Sequence, residues 1–287
     1  NIEKVARDYF SYEVSKYAFT KAMNNIYRVS RGSSKKLGSL QILKNFLKNS
    51  IKNDKLLKEY TKRIDEELIL KHNLLYERTM DYFVKLMDIY CSEGVNANIR
   101  LRPEQLAKNF KWQKELKPRQ EEFFSAYISY IKELRKIAKE AKDYEDEAGL
   151  IREFEKYVDR LDGFFLNFRF ILDFSDDNFI FWLSANPKKN NIKLVATPLK
   201  IHNELDEVLY ANLEHLIFTS ATIAINDDFD YFKKSIGLTE QTYEKAIHSP
   251  FDYDKQMKVY IPTDIPLPSD KNFLDEIRDF LVGIIKM

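Results

Sequence analysis

Hydrophobic residues recur at every third or fourth position along most of the first 175 residues, which is the period of an amphipathic helix. The longest uninterrupted run covers residues 54–92, and a helix of that length would extend for about 58 Å. Because this exceeds the usual helix of a compact domain, the pattern predicts an extended antiparallel helical bundle. Further helices are predicted at about residues 2–26, 40–51, 118–142 and 146–173.

The pattern changes after residue 175. Two apolar runs within residues 178–199 flank the turn-rich stretch Asn186-Pro187-Lys188-Lys189-Asn190, which predicts a β-hairpin. We expect Phe181 and Trp182 to pack this hairpin against the helices. Beyond it, the pattern predicts helices at about 200–212, 228–236 and 272–286 and buried strands at 215–219 and 257–261. Helices that alternate with short strands indicate an α/β layer, so the predicted fold is mainly α, with an extended helical bundle joined to a partial α/β domain.

Composition narrows the class of protein. Hydrophobic residues make up 44% of the chain, enough for a packed core. The single cysteine, Cys91, excludes an internal disulfide framework and a four-cysteine metal or iron–sulfur site within these residues. The four histidines show no metal-ligand spacing. No stretch approaches about 18 uncharged apolar residues, and a lone cysteine fits a reducing compartment, so we expect a cytoplasmic protein without a membrane span.

Charge is unevenly distributed although the net charge is only +1. Residues 1–50 hold ten Lys or Arg against three acidic residues, whereas residues 143–180 hold eleven acidic residues against four basic ones. A surface for nucleic acid must therefore come from local clusters of cations rather than from the overall charge.

Two such clusters combine cations with an aromatic residue. The first lies in the Gly/Ser-rich break of residues 28–39, beside Tyr27, and consists of Arg28, Arg31, Lys35 and Lys36. The second surrounds Trp112 and consists of Lys111, Lys114, Lys117 and Arg119. Cations follow a phosphate backbone and an aromatic ring stacks a base, so both clusters are candidate sites for single-stranded DNA, with Trp112 as a stacking residue. The alternative for each is an ordinary solvated segment.

The stretch Thr219-Ser220-Ala221-Thr222 directly follows the predicted strand at 215–219. Loops at the carboxyl end of a buried strand face ligands in α/β sheets. Small hydroxyl side chains at that place are able to hydrogen-bond a neighbouring catalytic loop, and Ala221 leaves room for another backbone. The alternative is a Ser/Thr cap of the following helix.

A longer string of residues carries a resemblance. The Ser220-Ala221-Thr222 core is followed by Gly237-Leu238, by Ser249-Pro250-Phe251-Asp252-Tyr253 and by a run of prolines at 262, 266 and 268. In this order, the string resembles motif III and its surroundings in the DinG/XPD family of superfamily 2 ATP-dependent DNA helicases. Residues 1–10, Asn-Ile-Glu-Lys-Val-Ala-Arg-Asp-Tyr-Phe, resemble the segment directly after the DEAH box of that family.

The resemblance implies a fold and a division of the chain. In the family, two RecA-like motor domains hydrolyse ATP between them and translocate 5′ to 3′ on single-stranded DNA, and a helical arch domain helps to enclose the strand. Residues 1–175 would then be the arch domain with a connecting helix of motor domain one at its start. Residues 176–240 would be part of motor domain one, and residues 241–287 the linker and the start of motor domain two.

The resemblance also implies roles for individual residues. Motif III, which comprises Thr219, Ser220, Ala221 and Thr222, would couple the ATP state to the grip on DNA. The segment with Ser249, Pro250, Phe251 and Tyr253 would be an interdomain hinge.

The absent motifs limit what these residues do alone. The sequence contains neither G-x-x-x-x-G-K nor D-E-A-H, the elements that hold phosphates and the metal ion. We therefore expect an inactive helicase fragment, with ATP and Mg²⁺ bound only by the intact protein and any iron–sulfur cluster outside these residues. The expected partners are single-stranded DNA and the remaining motor domains, not a membrane, and the expected state is a monomer. Two alternatives stay open: a non-catalytic helical module that binds DNA or protein, and a helical scaffold in which T-S-A-T-I is coincidental.

Overall fold

The computed structural model describes residues 2–28, 37–91, 96–144, 149–238, 242–248 and 250–286. Contacts divide the chain into two units. The first comprises Asn1–Ser220 with Asp230–Thr239, and the second comprises Ala221–Phe229 with Glu240–Met287. The division at residues 175 and 240 that the sequence suggests remains a prediction.

The first unit is mainly helical, as the hydrophobic pattern predicts. Its helices are α1 (Ile2–Tyr9), α2 (Lys16–Ile26), α3 (Ser39–Ser50), α4 (Asp54–Lys62), α5 (Ile69–Tyr90), α6 (Pro103–Leu106), α7 (Lys117–Ala141), α8 (Leu150–Asp173), α9 (His202–Val208) and α10 (Asp230–Ile236). A π-helical turn, Arg63–Leu68, joins α4 to α5, so the long continuous helix predicted for residues 54–92 is confirmed. A second π-helical turn, Trp112–Leu116, leads into α7.

Four antiparallel strands complete the first unit. They are β1 (Tyr12–Ser15), β2 (Ala97–Leu101), β3 (Phe179–Asn186) and β4 (Asn191–Pro198), in the spatial order β1-β4-β3-β2. The hairpin predicted for residues 178–199 is confirmed as β3 and β4. Its turn ends at Asn190, whose φ of 47° suits asparagine, one of the few residues that enter the left-handed region readily.

Strand β1 corrects the prediction of one helix over residues 2–26. Val14 is fully buried on β1, opposite Leu194 of β4. Its spacing from neighbouring apolar residues fits a helix, but a β-branched residue packs equally well on a pleated sheet. The start of the next helix has a local signal, because the Ser15 hydroxyl caps α2 by accepting a hydrogen bond from the Ala18 N–H at 3.2 Å.

The strands predicted at 215–219 and 257–261 are not formed, so the prediction of helices alternating with buried strands is wrong for this structure. Ile217 is 89% exposed and Ile261 is 80% exposed. The described residues provide no strand that pairs with either segment. Without a partner for its N–H and C=O groups, an apolar run has no means of forming a strand.

We call α2–α5, α7 and α8 the helical body. Its core combines buried aliphatic residues with fully buried aromatic residues on four of these helices: Phe19, Tyr82, Phe83, Phe123, Tyr130, Phe154, Phe165 and Phe168. The rings of Phe83 and Phe168 stack with centroids 5.4 Å apart. Arg63, the first residue of the π-helical turn before α5, ties this turn to α7 at the edge of the core by donating to Glu133 at 3.1 Å and to Glu140 at 2.6 Å.

A separate small core joins α1, α9 and α10. It is built from Ala6, Ile201, Leu205 and Ile236, with Phe10, Phe218, Phe232 and Leu238 packed around them. Helix α1 precedes the helical body in the chain, whereas α9 and α10 follow it. Segments from both sides of the helical body therefore meet in one cluster of apolar side chains.

The second unit contains α11 (Tyr253–Gln256), α12 (Phe273–Ile285) and a tight turn at Ile225–Asp228. None of its described residues is fully buried. Across the parts of both units that the structure describes, no helix is long and apolar enough to cross a membrane.

Candidate coupling segment and nucleic-acid interface

The segment that leads to Thr219 is anchored by one aromatic contact. Phe218 is half-buried, and its ring meets that of Phe232 on α10 edge to face, with centroids 5.5 Å apart. Thr219 and Ser220 follow directly and are exposed. The small core therefore fixes the backbone just before the hydroxyl-bearing residues while leaving their side chains accessible.

Helix α10 is held in turn by the Gly237-Leu238 pair of the motif string. Gly237 has a φ of +74°, and a Cβ added there would lie 2.1 Å from Cβ of His202. The Leu238 N–H donates a hydrogen bond to the carbonyl of Lys233, five residues earlier, at 2.9 Å. This is the wider-spanning of the two hydrogen bonds that close a helix ending in a left-handed glycine. Tyr210 Oη donates to the carbonyl of Ile236 at 2.8 Å. Glycine is required here because both its φ and its close approach to His202 exclude a side chain.

The other half of the predicted motif lies in the second unit. Ala221 and Thr222 are exposed, and the chain reverses shortly afterwards between Ile225 and Asp228. The two residues exchange backbone hydrogen bonds of 2.9 and 3.0 Å, and the positive φ angles of Asn226 and Asp227, 52° and 64°, define a type I′ turn. Asp227 and Asp228 thus belong to this turn, and both side chains are exposed.

The first predicted cation cluster is described only in part. Arg28 is exposed, and its carbonyl accepts a hydrogen bond from the Gln41 side chain at 3.2 Å. Arg31, Lys35 and Lys36 lie outside the described residues. Tyr27, which the sequence suggests as a neighbouring aromatic, is half-buried, with its ring edge-on to His72 at 5.3 Å.

The second predicted cluster separates into a buried ring and exposed lysines. Trp112 is only 5% exposed, and its ring lies 6.1 Å from that of Phe174. A ring packed in this way offers no face for a base. Lys111, directly before this π-helical turn, and Lys114 within it are exposed, and they remain available to a phosphate backbone.

Two ion pairs partly neutralise the surroundings of these lysines. Glu115 pairs with Lys85, and Arg119 donates to Asp81 at 2.7 Å. The hydrogen bond from Lys85, with further contributions from the charges of Lys85, Lys111 and Arg119, lowers the pKa of the Glu115 carboxyl.

The predicted hinge lies in the second unit. Ser249 is outside the described residues. Pro250, Phe251 and Tyr253 are exposed, and Tyr253 begins the short helix α11. Exposed apolar residues on a segment with no regular structure beyond this four-residue helix suit a linker, but the hinge itself stays a prediction.

Potential metal ligands are scattered. Within the described residues, no three His, Cys, Asp or Glu side chains cluster as metal ligands. Cys91 is half-buried, and burial raises the pKa of its thiol, which makes it less reactive as a thiolate.

Comparisons with known proteins point to the same family as the motif string. No family model matches the chain. It is 27% identical over 108 residues to the ATP-dependent DNA helicase YoaA of Haemophilus influenzae, and 30% identical over 108 residues to the 3′-5′ exonuclease DinG of Bacillus subtilis. It is 25% identical over 114 residues to YoaA of Escherichia coli.

These matches are local. They cover 38%, 37% and 40% of this chain but only 16%, 12% and 18% of the respective relatives. The matched region therefore spans less than a fifth of each relative's length. The similarities support a helicase-related region of the DinG type.

Proposed function

We propose that this chain is the arch-containing part of a DinG-like ATP-dependent 5′–3′ DNA helicase. In this proposal the helical body helps to enclose single-stranded DNA, and the motif III segment transmits the ATP state of the motor. The observation that carries it is the meeting of α1 with α9 and α10 in one small core. Ser11 and Thr197, 186 residues apart in the chain, are nearby side chains with hydroxyl oxygens separated by 3.1 Å.

That meeting gives the helical body the form of an insertion. Chain ends that lie close together allow a domain to be inserted into another without disturbing the host. The three longest helices of the body have 22, 25 and 24 residues, which gives lengths of about 33–38 Å. An aromatic core along such helices makes a stiff arm, which suits a structure that closes over a strand of DNA.

The proposed coupling role rests on exposure combined with anchoring. Phe218 and α10 fix the start of the segment, and Thr219, Ser220, Ala221 and Thr222 follow with accessible side chains. Their hydroxyls would hydrogen-bond the catalytic loops of the intact protein. The nucleotide and Mg²⁺ would be held by those other parts, because these residues include no phosphate-binding loop.

The proposed contacts with DNA are electrostatic. Cations of the two predicted clusters would neutralise phosphates along the strand: Arg28, Arg31, Lys35, Lys36, Lys111 and Lys114. The segment with Pro250, Phe251 and Tyr253 would let the second motor domain rotate.

The test uses the intact helicase with Ser220→Ala and Thr222→Ala combined. We expect strand unwinding to fall by at least about tenfold, because losing two hydroxyls that bond a catalytic loop in the transition state costs on the order of 1.5 kcal/mol or more. Binding of single-stranded DNA without ATP should stay unchanged. Ser235→Ala on α10 is the control, since its hydroxyl donates locally to the Phe232 carbonyl at 2.9 Å. Unwinding and ATP hydrolysis that both stay at the wild-type level would show that the segment has no coupling role.

The helical body also supports a second candidate, a binding module without catalysis. Its aromatic core is separate from the small core of α1, α9 and α10. The helical body therefore has a core of its own to support a binding surface. The two candidates differ in the intact protein: a binding module would retain DNA affinity in a protein that shows no ATP-dependent unwinding.

A further inference from the structure

The sheet has one face packed on helices. The other face, which we call the open face, carries half-buried or exposed side chains except for Val195 and Ser15, which are 4% and 5% exposed. On the packed face, Phe181 of β3 contacts the rings of Phe170 and Phe174, with centroids 6.2 and 5.0 Å away. The next residue of β3, Trp182, points to the opposite face because successive side chains alternate along a strand. The sequence-based expectation that both residues pack against the helices is therefore right for Phe181 and wrong for Trp182.

The strand register arranges a row of side chains across this open face. Trp182 stands directly opposite Val195 of β4 on one side and Arg100 of β2 on the other, and Glu13 of β1 ends the row beyond Val195. Opposed side chains of neighbouring strands have Cβ atoms about 5 Å apart. The half-exposed indole therefore lies between an apolar neighbour and an exposed guanidinium.

Hydrogen bonds fix the orientation of the indole. Trp182 Nε1 donates to Thr197 Oγ1 at 3.3 Å, and Thr197 Oγ1 lies 3.1 Å from Ser11 Oγ. The Ser11 hydroxyl in turn donates to the carbonyl of Arg7 at 2.6 Å. A ring held in this way loses little conformational freedom when a flat ligand stacks on it.

The charge of the sheet favours a polyanion. The four strands and the turn between β3 and β4 carry four cations, Arg100, Lys188, Lys189 and Lys193, against one carboxylate, Glu13. Glu13 is already paired with Lys193 at 2.9 Å. Arg100, Lys188 and Lys189 are exposed, and among the described residues no carboxylate lies within ion-pair distance of them.

We propose that this open sheet face binds a single strand of nucleic acid, with a base stacked on Trp182, a neighbouring phosphate held by Arg100, and phosphates further along the strand held by Lys188 and Lys189 at the hairpin turn. Aromatic platforms with flanking cations bind single strands in this manner, because every base has a stacking face and every nucleotide a phosphate. The inference rests on the proposed function for its choice of nucleic acid as the ligand. It concerns different residues from those assigned to coupling or to the cation clusters above.

The first experiment titrates the protein with a single-stranded oligothymidylate at several salt concentrations. Trp182→Leu keeps an apolar side chain but removes the aromatic face, and we expect it to weaken binding about tenfold. Trp182→Phe retains a stacking face and should recover most of the affinity. Arg100→Gln should weaken binding and reduce the slope of log K against log salt by about 0.7, the value expected when one phosphate of a single strand is no longer neutralised.

The intrinsic fluorescence gives a second measurement. The chain has two tryptophans, and Trp112 is buried. The oligonucleotide should quench the wild-type emission and leave that of Trp182→Phe unchanged. Lys156→Gln, which removes an exposed cation from α8 rather than from the sheet, is the charge control and should leave the affinity within twofold of wild type.

Three results would overturn the inference. The first is wild-type affinity for the oligonucleotide in Trp182→Leu and Arg100→Gln, and the second is an equal loss of affinity in Lys156→Gln. The third is the absence of oligonucleotide binding in the wild-type protein, which is the result expected if this face binds another protein. Failure of the proposed function would look different. In that case the Ser220 and Thr222 variants would unwind DNA normally, while binding of the oligonucleotide would still depend on Trp182.

Discussion

The helical body and the segment Leu213–Ser220 both carry apolar sequences, but only the helical body buries them. Phe83 and Phe168 are fully inaccessible, whereas Ile217 is 89% exposed. The difference follows from backbone hydrogen bonding. A helix pairs its N–H and C=O groups within one segment and needs only an apolar surface to pack on, whereas a strand needs a second strand.

This comparison gives the exposed segment a specific meaning. It has the composition of a buried strand, and no strand of the described residues pairs with it. Under the proposed function, the partner strands belong to the rest of the motor domain. Helical parts of the chain should then be stable as they stand, while the motif III segment should gain order only in the intact protein.

The largest expected effect is the loss of an aromatic ring from the core of the helical body. Phe168 contacts the rings of Phe83, Phe123 and Phe165, among others. Replacing it with alanine should lower the free energy of unfolding by about 3–5 kcal/mol, because less apolar surface is buried and a cavity remains. Denaturant unfolding followed by circular dichroism measures this change.

Ile217→Ala is the matched control in the exposed segment. An exposed isoleucine should change the free energy of unfolding by no more than about 0.5 kcal/mol. Equal losses of unfolding free energy in Phe168→Ala and Ile217→Ala would mean that the helical body and the segment Leu213–Ser220 do not differ in burial. The comparison between them would then have no basis.

A second prediction concerns pH, because the helical body buries an ionisable group. His72 on α5 is almost fully buried, with Tyr130 Oη of α7 3.0 Å from Nδ1 and the Tyr27 ring beside it. Burial lowers the pKa of His72 to about 4. In the unfolded chain the same group has a pKa of about 6.5, so the unfolded state binds the extra proton first as the pH falls.

Stability should therefore decrease as the pH falls from about 6.5 to about 4, by roughly 3 kcal/mol from this residue alone. The free energy of unfolding, measured by denaturant titration across this range, checks the slope. His72→Gln removes the titrating group and should flatten that part of the profile. A profile that keeps its full slope in the variant would assign the pH dependence to other groups.

The sequence is sufficient for the helices because their signals are local. The spacing of apolar residues over 54–92 predicts a continuous helix, and the turn-rich residues 186–190 predict the hairpin. Strand β2 gives a weaker signal, since Arg100 and Asn98 alternate with apolar residues over only five positions. Its pairing with β3 connects residues about 80 positions apart in the chain, and no local pattern encodes such a contact.

The candidate sites show the same limit. The motif string singles out Thr219–Thr222 and Gly237. The structure shows the first four residues exposed and Gly237 in close contact with His202, and the coupling role of Thr219–Thr222 stays a prediction. The sequence assigns Trp112 and Trp182 to the wrong environments, because neither the cations around Trp112 nor the apolar run around Trp182 reveals which face of an element a side chain occupies. The register of β3 determines on which face of the sheet Trp182 lies. The burial of Trp112 follows from its contact with Phe174, which is 62 positions later in the chain.

The smallest of these effects tests how firmly the small core holds the segment that ends at Ser220. Gly237→Ala should destabilise α9 and α10 by about 2 kcal/mol, because a left-handed residue with a Cβ is strained by about 1–2 kcal/mol and the added atom also clashes with His202. Amide hydrogen exchange of the two helices measures this local change.

Gly163→Ala is the matched control inside α8, where nothing lies within 4 Å of an added Cβ, and it should stabilise that helix by about 0.5–1 kcal/mol. Faster exchange in α9 and α10 for Gly237→Ala, with unchanged exchange in the helical body, would show that the small core next to Thr219 and Ser220 opens independently of the helical body. Unchanged exchange in α9 and α10 would mean that the small core tolerates the side chain, and that Gly237 does not fix α10 against α9.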